Sequence, residues 1–160
     1  MQKLAETRPN PGMAGFAIFW EDGSMTTGPH LASVMPRLPV NDLRRTLDFY
    51  RGQLGFSADV LWPEEEPTFA ILRKDMTRLA FFEPTEHQPG PIGYAELSME
   101  TRGCMELHEI LKGRMPVEWG PEVYSYGRRE FAVRDPDGYL IIFTEETDEE
   151  PTTSEPGDEE

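Results

Sequence analysis

The chain has 160 residues, a net charge of −15 at pH 7 and 38% apolar residues, enough for one compact domain with a core of its own. The single cysteine, Cys104, excludes an intramolecular disulfide framework and a thiolate metal cluster. No apolar run nears the roughly 20 residues of a membrane span, and Met1-Gln2-Lys3 does not open a basic-then-apolar leader, so the cytosol is the expected compartment.

The charge is unevenly placed. Residues 145–160 hold nine acids and neither Lys nor Arg, which leaves −6 on the other 144 residues. With Pro151, Pro156, Gly157 and no large apolar side chain, residues 147–160 are expected to be a disordered acidic tail. The mildly acidic body disfavours nucleic acid, whose phosphates need clustered Lys and Arg, and tolerates a cationic ligand.

Residues 1–30 read as an N-terminal extension, partly ordered, in which Phe16–Trp20 is a strand or an edge-covering segment. From Leu31 the pattern firms. Leu31–Leu38 reads as a strand, with Pro36 pointing to an edge or a bulge. Asn41-Asp42 offers an N-cap, Leu43, Leu47, Tyr50 and Leu54 form one helical stripe, and Gly55 closes it. Strands are expected at Phe56–Trp62, Thr68–Arg73 and Arg78–Glu83. After a linker-like Glu86–Pro91 the order restarts: a strand over Gly93–Met99, a helix over Gly103–Lys112 stopped by Gly113, and a short strand over Met115–Trp119 followed by a Gly/Pro/Tyr loop.

A strand, turn and strand over Tyr124–Glu146 close the chain. Phe131 and Val133 alternate with polar neighbours, while Tyr139–Phe143 is nearly continuously apolar and reads as buried on both faces. Between them, Asp135-Pro136-Asp137-Gly138 supplies turn chemistry, with Asp137 bonding locally and Gly138 taking the positive φ. The fold class is therefore α+β. Strand, helix and three strands occur twice, over about 31–85 and about 92–145.

With Leu38–Tyr50, Leu54-Gly-Phe56 and Gly127–Gly138 in this doubled order, the chain resembles the vicinal oxygen chelate superfamily, which includes glyoxalase I, extradiol dioxygenases and the fosfomycin and bleomycin resistance proteins. The resemblance covers 31–146. It implies two tandem βαβββ modules forming a curled mixed sheet around a cleft, often completed by a second subunit, and hence a homodimer. Metal enzymes of this group chelate one divalent ion with four strand residues, mostly His and Glu. The matching positions here hold Met35, Phe81, Tyr94 and Ile142, poor ligands for such an ion. A one-residue slip offers at most Glu83 or Glu96. His30, His87 and His108 read as surface or packing residues, and Cys104 as a small buried apolar one.

The closest branch by motif is the bleomycin resistance group, which sequesters its drug without altering it. The pair that clamps the drug's flat rings there falls on Phe69 and Tyr126. Trp62 and Trp119 are cleft walls or core residues, and Met35, Phe81, Tyr94 and Ile142 join the candidate ligand-binding set. Glu64–Glu66 attract a cationic ligand or are simply solvated, and Arg128-Arg129 alter the charge at the cleft mouth. The expected function is metal-free, cofactor-free binding of a small cationic or aromatic molecule. The alternatives are a metal-dependent lyase, isomerase or dioxygenase of the same fold, and an interaction module using Phe16–Trp20 or the tail.

Overall fold

The computed structural model describes residues 33–88, 90 and 94–152, together with the backbone of 17–19 and 25–27. The chain divides into two compact units between Val34 and Met35. In the first, β1 (Ala17–Phe19) pairs antiparallel with β2 (Met25–Thr27), so the apolar Phe16–Trp20 patch contains a strand; Phe16 and Trp20 lie outside the described residues, as does His30.

The second unit holds two modules of one pattern. In the first, β3 (Arg37–Pro39) and α1 (Leu43–Leu47) precede β4 (Ser57–Trp62), β5 (Phe69–Lys74) and β6 (Thr77–Phe82). In the second, β7 (Glu96–Glu100) and α2 (Cys104–Lys112) precede β8 (Val117–Tyr124), β9 (Arg128–Arg134) and β10 (Leu140–Glu146). The strand orders are β3-β6-β5-β4 and β7-β10-β9-β8, each opening on one parallel pair and continuing antiparallel. The α+β class and the tandem βαβββ modules are thus as expected, in open mixed sheets. Among the described residues no helix is long and apolar enough to cross a membrane.

Local chemistry explains the elements. Asp42 caps α1 by accepting from the Arg45 N–H at 3.1 Å, and the Leu43 N–H is taken by Glu83 Oε1 at 2.8 Å. The helix does not run on as α. It widens into a π-helical segment over Asp48–Gln53, whose wider turns let the neighbouring rings of Phe49 and Tyr50 both pack inward. The stripe of Leu43, Leu47, Tyr50 and Leu54 is still buried throughout, and Gly55 leaves at φ 75°. The first strand is shorter than Leu31–Leu38: residues 33–36 are irregular, and β3 is an edge strand, where Pro39 costs no ladder bond. The loop expected after Trp119 is instead strand. Two register shifts in β8, with Gly120 at φ 83°, absorb the Gly-Pro step, and pairing resumes at Glu122.

One hydrophobic core joins both modules. From the first come Leu43, Tyr50, Phe56, Ala70, Leu72, Leu79 and Phe81, and from the second Leu111, Phe131, Val133, Ile141 and Phe143. The Tyr50 ring lies 4.6 Å from Phe81 and edge-on to Phe56; burying a ring of this kind stabilises by about 1.5–3 kcal/mol. Its hydroxyl donates to Asp135 Oδ2 at 3.0 Å.

The Asp135–Gly138 turn bolts the modules together. Asp135 does the local bonding, accepting from the N–H groups of Asp137 and Tyr139 at 2.9 Å each. Asp137, expected to bond locally, reaches across instead: it accepts from the Asn41 N–H at 2.8 Å, the Asn41 side-chain amide at 2.9 Å and the Thr46 hydroxyl at 3.1 Å. The Tyr139 hydroxyl donates to the Pro39 carbonyl at 2.6 Å. Thr46, Asp135, Asp137 and Tyr139 are buried and each has a partner, which is what lets a polar joint persist at the edge of a core.

Candidate functional site

Each sheet gives one face to the shared core and keeps one face for the outside. Paired residues in neighbouring strands share a face, and the face alternates along each strand. In the first sheet the row Trp62–Phe69–Phe82 lies outside, followed by Val60–Ile71–Ala80 with Arg37, while Leu61–Ala70–Phe81 lies inside. The Arg37 guanidinium sits 5.4 Å from the centre of the Phe69 ring, a cation–π geometry. Arg73 and Arg78 continue this outer face and meet Asp59 at 3.1 and 3.8 Å. Trp62, at the end of β4, is 68% exposed.

In the second sheet the outer rows are Ser98–Ile142–Ala132–Trp119, then Glu100–Thr144–Glu130–Glu122, then Glu146–Arg128–Tyr124. Beyond β8, Tyr126 is 50% exposed and stacks on Tyr124, with centroids 5.2 Å apart and planes 3° from parallel. Trp119 meets Tyr124 edge-on at 6.3 Å. The result is an aromatic wall flanked by acids. The Tyr124 hydroxyl donates to Glu122 Oε2 at 2.9 Å; burial first, and then Glu122, hold its phenol well above the ordinary range. Burial and the charge of Glu130 push the Tyr126 phenol up to about 12. Both are neutral hydroxyls at physiological pH, suited to stacking and hydrogen bonding.

The expected site residues do not share one face. Phe81 is 0% exposed and packed on Tyr50, on the core side of β6, so it is not a lining residue; the outward residue is its neighbour Phe82. Met35 precedes β3 and is half-buried, and Ile142 is half-buried in the Trp119 row. Tyr94, 67% exposed, donates its hydroxyl to Glu96 at 2.6 Å. Arg128 faces outward but is held by Glu100 at 3.1 Å and Glu146 at 3.4 Å, and Arg129 turns away to Glu145 at 3.6 Å and to Glu149. The added charge expected at a cleft mouth is therefore spent in ion pairs.

Phe69 lies on the outer face of the first sheet and Tyr126 in the turn after β8, stacked on Tyr124 of the second, and among the described residues no ring contact joins the two. Sequence reasoning missed Tyr124, Glu122, Glu130 and Phe82. The spacing Tyr124-Ser-Tyr126 was the available signal for the first, since residues two apart share a strand face.

A divalent metal does not fit these residues. The positions hold a thioether, a phenol already bonded to Glu96, an alkyl chain and, on the outer side of β6, Ala80 and Phe82. Glu83, one of the two alternatives, is engaged at the start of α1. Among the described residues no group of three or more His, Cys, Asp or Glu side chains is placed to share an ion. His87 is exposed beside Glu86, and His108 packs edge-on to Phe131 at 5.3 Å. Burial pushes the Cys104 thiol up to about 11, so it is no thiolate nucleophile.

The family model described as Glyoxalase/Bleomycin resistance protein/Dioxygenase superfamily matches residues 27–143. The chain belongs to this superfamily. Bleomycin resistance proteins of Geobacillus stearothermophilus and of Staphylococcus aureus (strain MRSA252) are each 28% identical to it over 126 residues, covering 68% of this chain and 92% of theirs. Among solved structures, a member of the same superfamily from Sphaerobacter thermophilus DSM 20745 aligns with a TM-score of 0.60 and 30% identity, over 72% of this chain and 98% of that one. TnmS3, an antibiotic binding protein from Streptomyces sp. CB03234, shares the fold with a TM-score of 0.60 at 22% identity, over 74% of this chain and 100% of that one.

Proposed function

We propose that this protein is a non-catalytic, metal-free binder of a small cationic molecule with a flat ring, of the bleomycin type, protecting by sequestration in the cytosol. The observation that carries the reading is the wall of Trp119, Tyr124 and Tyr126 flanked by Glu122 and Glu130. Its rings offer stacking faces, and its carboxylates favour positive charge. The working unit in this reading is a homodimer. The outer face of the first sheet in one copy meets the outer face of the second sheet in its partner, so that Trp62 and Phe69 supply the opposing rings.

Charge supports that pairing. The first outer face carries Arg37, Arg73 and Arg78 against Asp59, and the second carries Glu100, Glu122, Glu130 and Glu146 against Arg128. Unlike faces attract and like faces repel, which fixes the register of association. The relatives named as bleomycin resistance proteins point to the same ligand class.

Calorimetric titration with bleomycin tests the ligand, with an expected dissociation constant of about micromolar or tighter. Heat no greater than dilution overturns the drug-specific part. Light scattering after gel filtration tests the assembly, and a monomer at micromolar concentration overturns the shared cleft. Stoichiometric divalent metal in protein purified without chelators overturns the metal-free reading.

A further inference from the structure

The acidic run that closes the sequence does not leave the fold at residue 147. Residues 147–152 lie along the far edge of the second sheet, where β8 is the last strand. There a single residue takes both free backbone groups of Val123: the Thr152 N–H donates to the Val123 carbonyl at 2.8 Å, and the Val123 N–H donates to Thr152 Oγ1 at 2.8 Å. Upstream, the Thr147 N–H donates to the Gly127 carbonyl at 3.1 Å. Val123 and Gly127 bracket the stacked rings of Tyr124 and Tyr126.

Ion pairs hold the strap between these two clips. Arg129, only 12% exposed at its side chain, binds Glu149 of the strap and Glu145 of β10. Glu145 in turn accepts from the Gly103 and Cys104 N–H groups at 2.7 and 3.3 Å, which ties the lock to the start of α2. Glu145, 24% exposed, fixes the Arg129 guanidinium in place, and Glu149, 65% exposed, clips the strap to it. An unpaired edge strand ending in a tyrosine turn is otherwise free to fray.

We propose that the strap of residues 147–152 is a positioning element for the Tyr124–Tyr126 wall, with Thr152 and the Arg129–Glu149 pair as its positioning residues. This rests on the reading of that wall as a ligand surface. Stacking on a preset ring pair costs less ordering than stacking on rings that must first be fixed, so the strap raises affinity without touching the ligand.

The test uses the full chain with Thr152→Pro, which removes both bonds to Val123, alongside Glu149→Gln and the conservative Thr152→Ser. Three readouts are taken: the near-ultraviolet circular dichroism of the tyrosines without ligand, amide hydrogen exchange at Val123 and Thr147, and affinity for bleomycin. Thr152→Pro is expected to weaken the tyrosine signal, to speed exchange at both amides and to weaken bleomycin about tenfold. Thr152→Ser, which keeps the hydroxyl and the N–H, is expected to match the parent. Unchanged dichroism and exchange in both Thr152→Pro and Glu149→Gln overturn the proposal, as do altered spectra with unchanged affinity. If the parent chain itself does not bind bleomycin while Thr152→Pro still alters the spectra, the drug reading falls and the strap's hold on the ring pair stands.

Discussion

The two sheets share a strand order, a parallel opening pair and a backing helix, and their inner faces are built alike. Ala70, Leu72, Leu79 and Phe81 do in the first what Phe131, Val133, Ile141 and Phe143 do in the second. Their outer faces have diverged. Both present aromatic rings, but the first frames Trp62, Phe69 and Phe82 with arginines, and the second frames Trp119, Tyr124 and Tyr126 with glutamates. Packing at near-crystalline density constrains one side of a sheet, so change accumulates on the other.

The largest test of that division is a neighbouring pair of phenylalanines. Phe81→Ala, on the inner side, is expected to cost about 3–5 kcal/mol in urea unfolding. Phe82→Ala, one residue on and facing outward, is expected to cost far less and to act on association or ligand binding instead. Equal losses would mean that the faces are not separated as described. The bulged strand gives a second contrast. A methyl at Gly120 would collide with the Glu130 carbonyl and come within 2.7 Å of Phe131 Cα, at a φ of 83°, whereas Gly52 has open space around it. Gly120→Ala is therefore expected to destabilise by about 3 kcal/mol, and Gly52→Ala to be neutral or stabilising by up to about 1 kcal/mol.

These contrasts show where sequence was enough and where it was not. Period and capping identified the stripe of Leu43, Leu47, Tyr50 and Leu54, the Asp42 cap and both modules, because those signals are local. Phe81 entered the site as a position matched to the superfamily pattern, and alternation could not check its face, because Leu79–Phe82 is apolar at every position. Register against Phe69 and Ala70, a non-local property, decides it. The length of β8 was hidden by Gly120-Pro121, which reads as a break until pairing beyond the bulge is seen. The ordering of residues 147–152 had no compositional signal, since Arg129 and the edge of β8 supply it from elsewhere in the chain.

A smaller effect separates the two outer faces by function. Tyr126→Ala and Phe69→Ala are each expected to weaken bleomycin by about 1–2 kcal/mol and to change unfolding by less than about 0.5 kcal/mol, as surface substitutions do. If the clefts lie between copies, a mixture of the two variants contains dimers in which one cleft combines both defects and the other has neither. Each mixed dimer then has one cleft of parental affinity, about a quarter of all clefts in an equal, freely exchanging mixture. No recovery would place both residues in one chain's site and sink the shared cleft.

The subtlest test concerns the joint between the modules. Burial raises the Asp135 carboxyl above its ordinary 3.8, and its bonds from Tyr139, Tyr50 and Asp137 only partly oppose this. The groups facing it are Tyr50, Asp137 and Tyr139, with Arg134 beside it in sequence. Between the unfolded and folded values the native state holds the extra proton, so this contribution to stability is full below 3.8 and is lost as pH rises through the raised value. Glu109 and Glu149 run the other way, lowered by Lys112 and Arg129, and their contributions are lost as pH falls. Asp135→Asn keeps an oxygen for the two backbone N–H groups and presents an amide to the Tyr50 hydroxyl, but has no proton to lose. Unfolding measured from pH 4 to 7 should therefore show the parent losing stability relative to Asp135→Asn as pH rises. A constant difference across that range would mean that the joint between the two modules does not titrate.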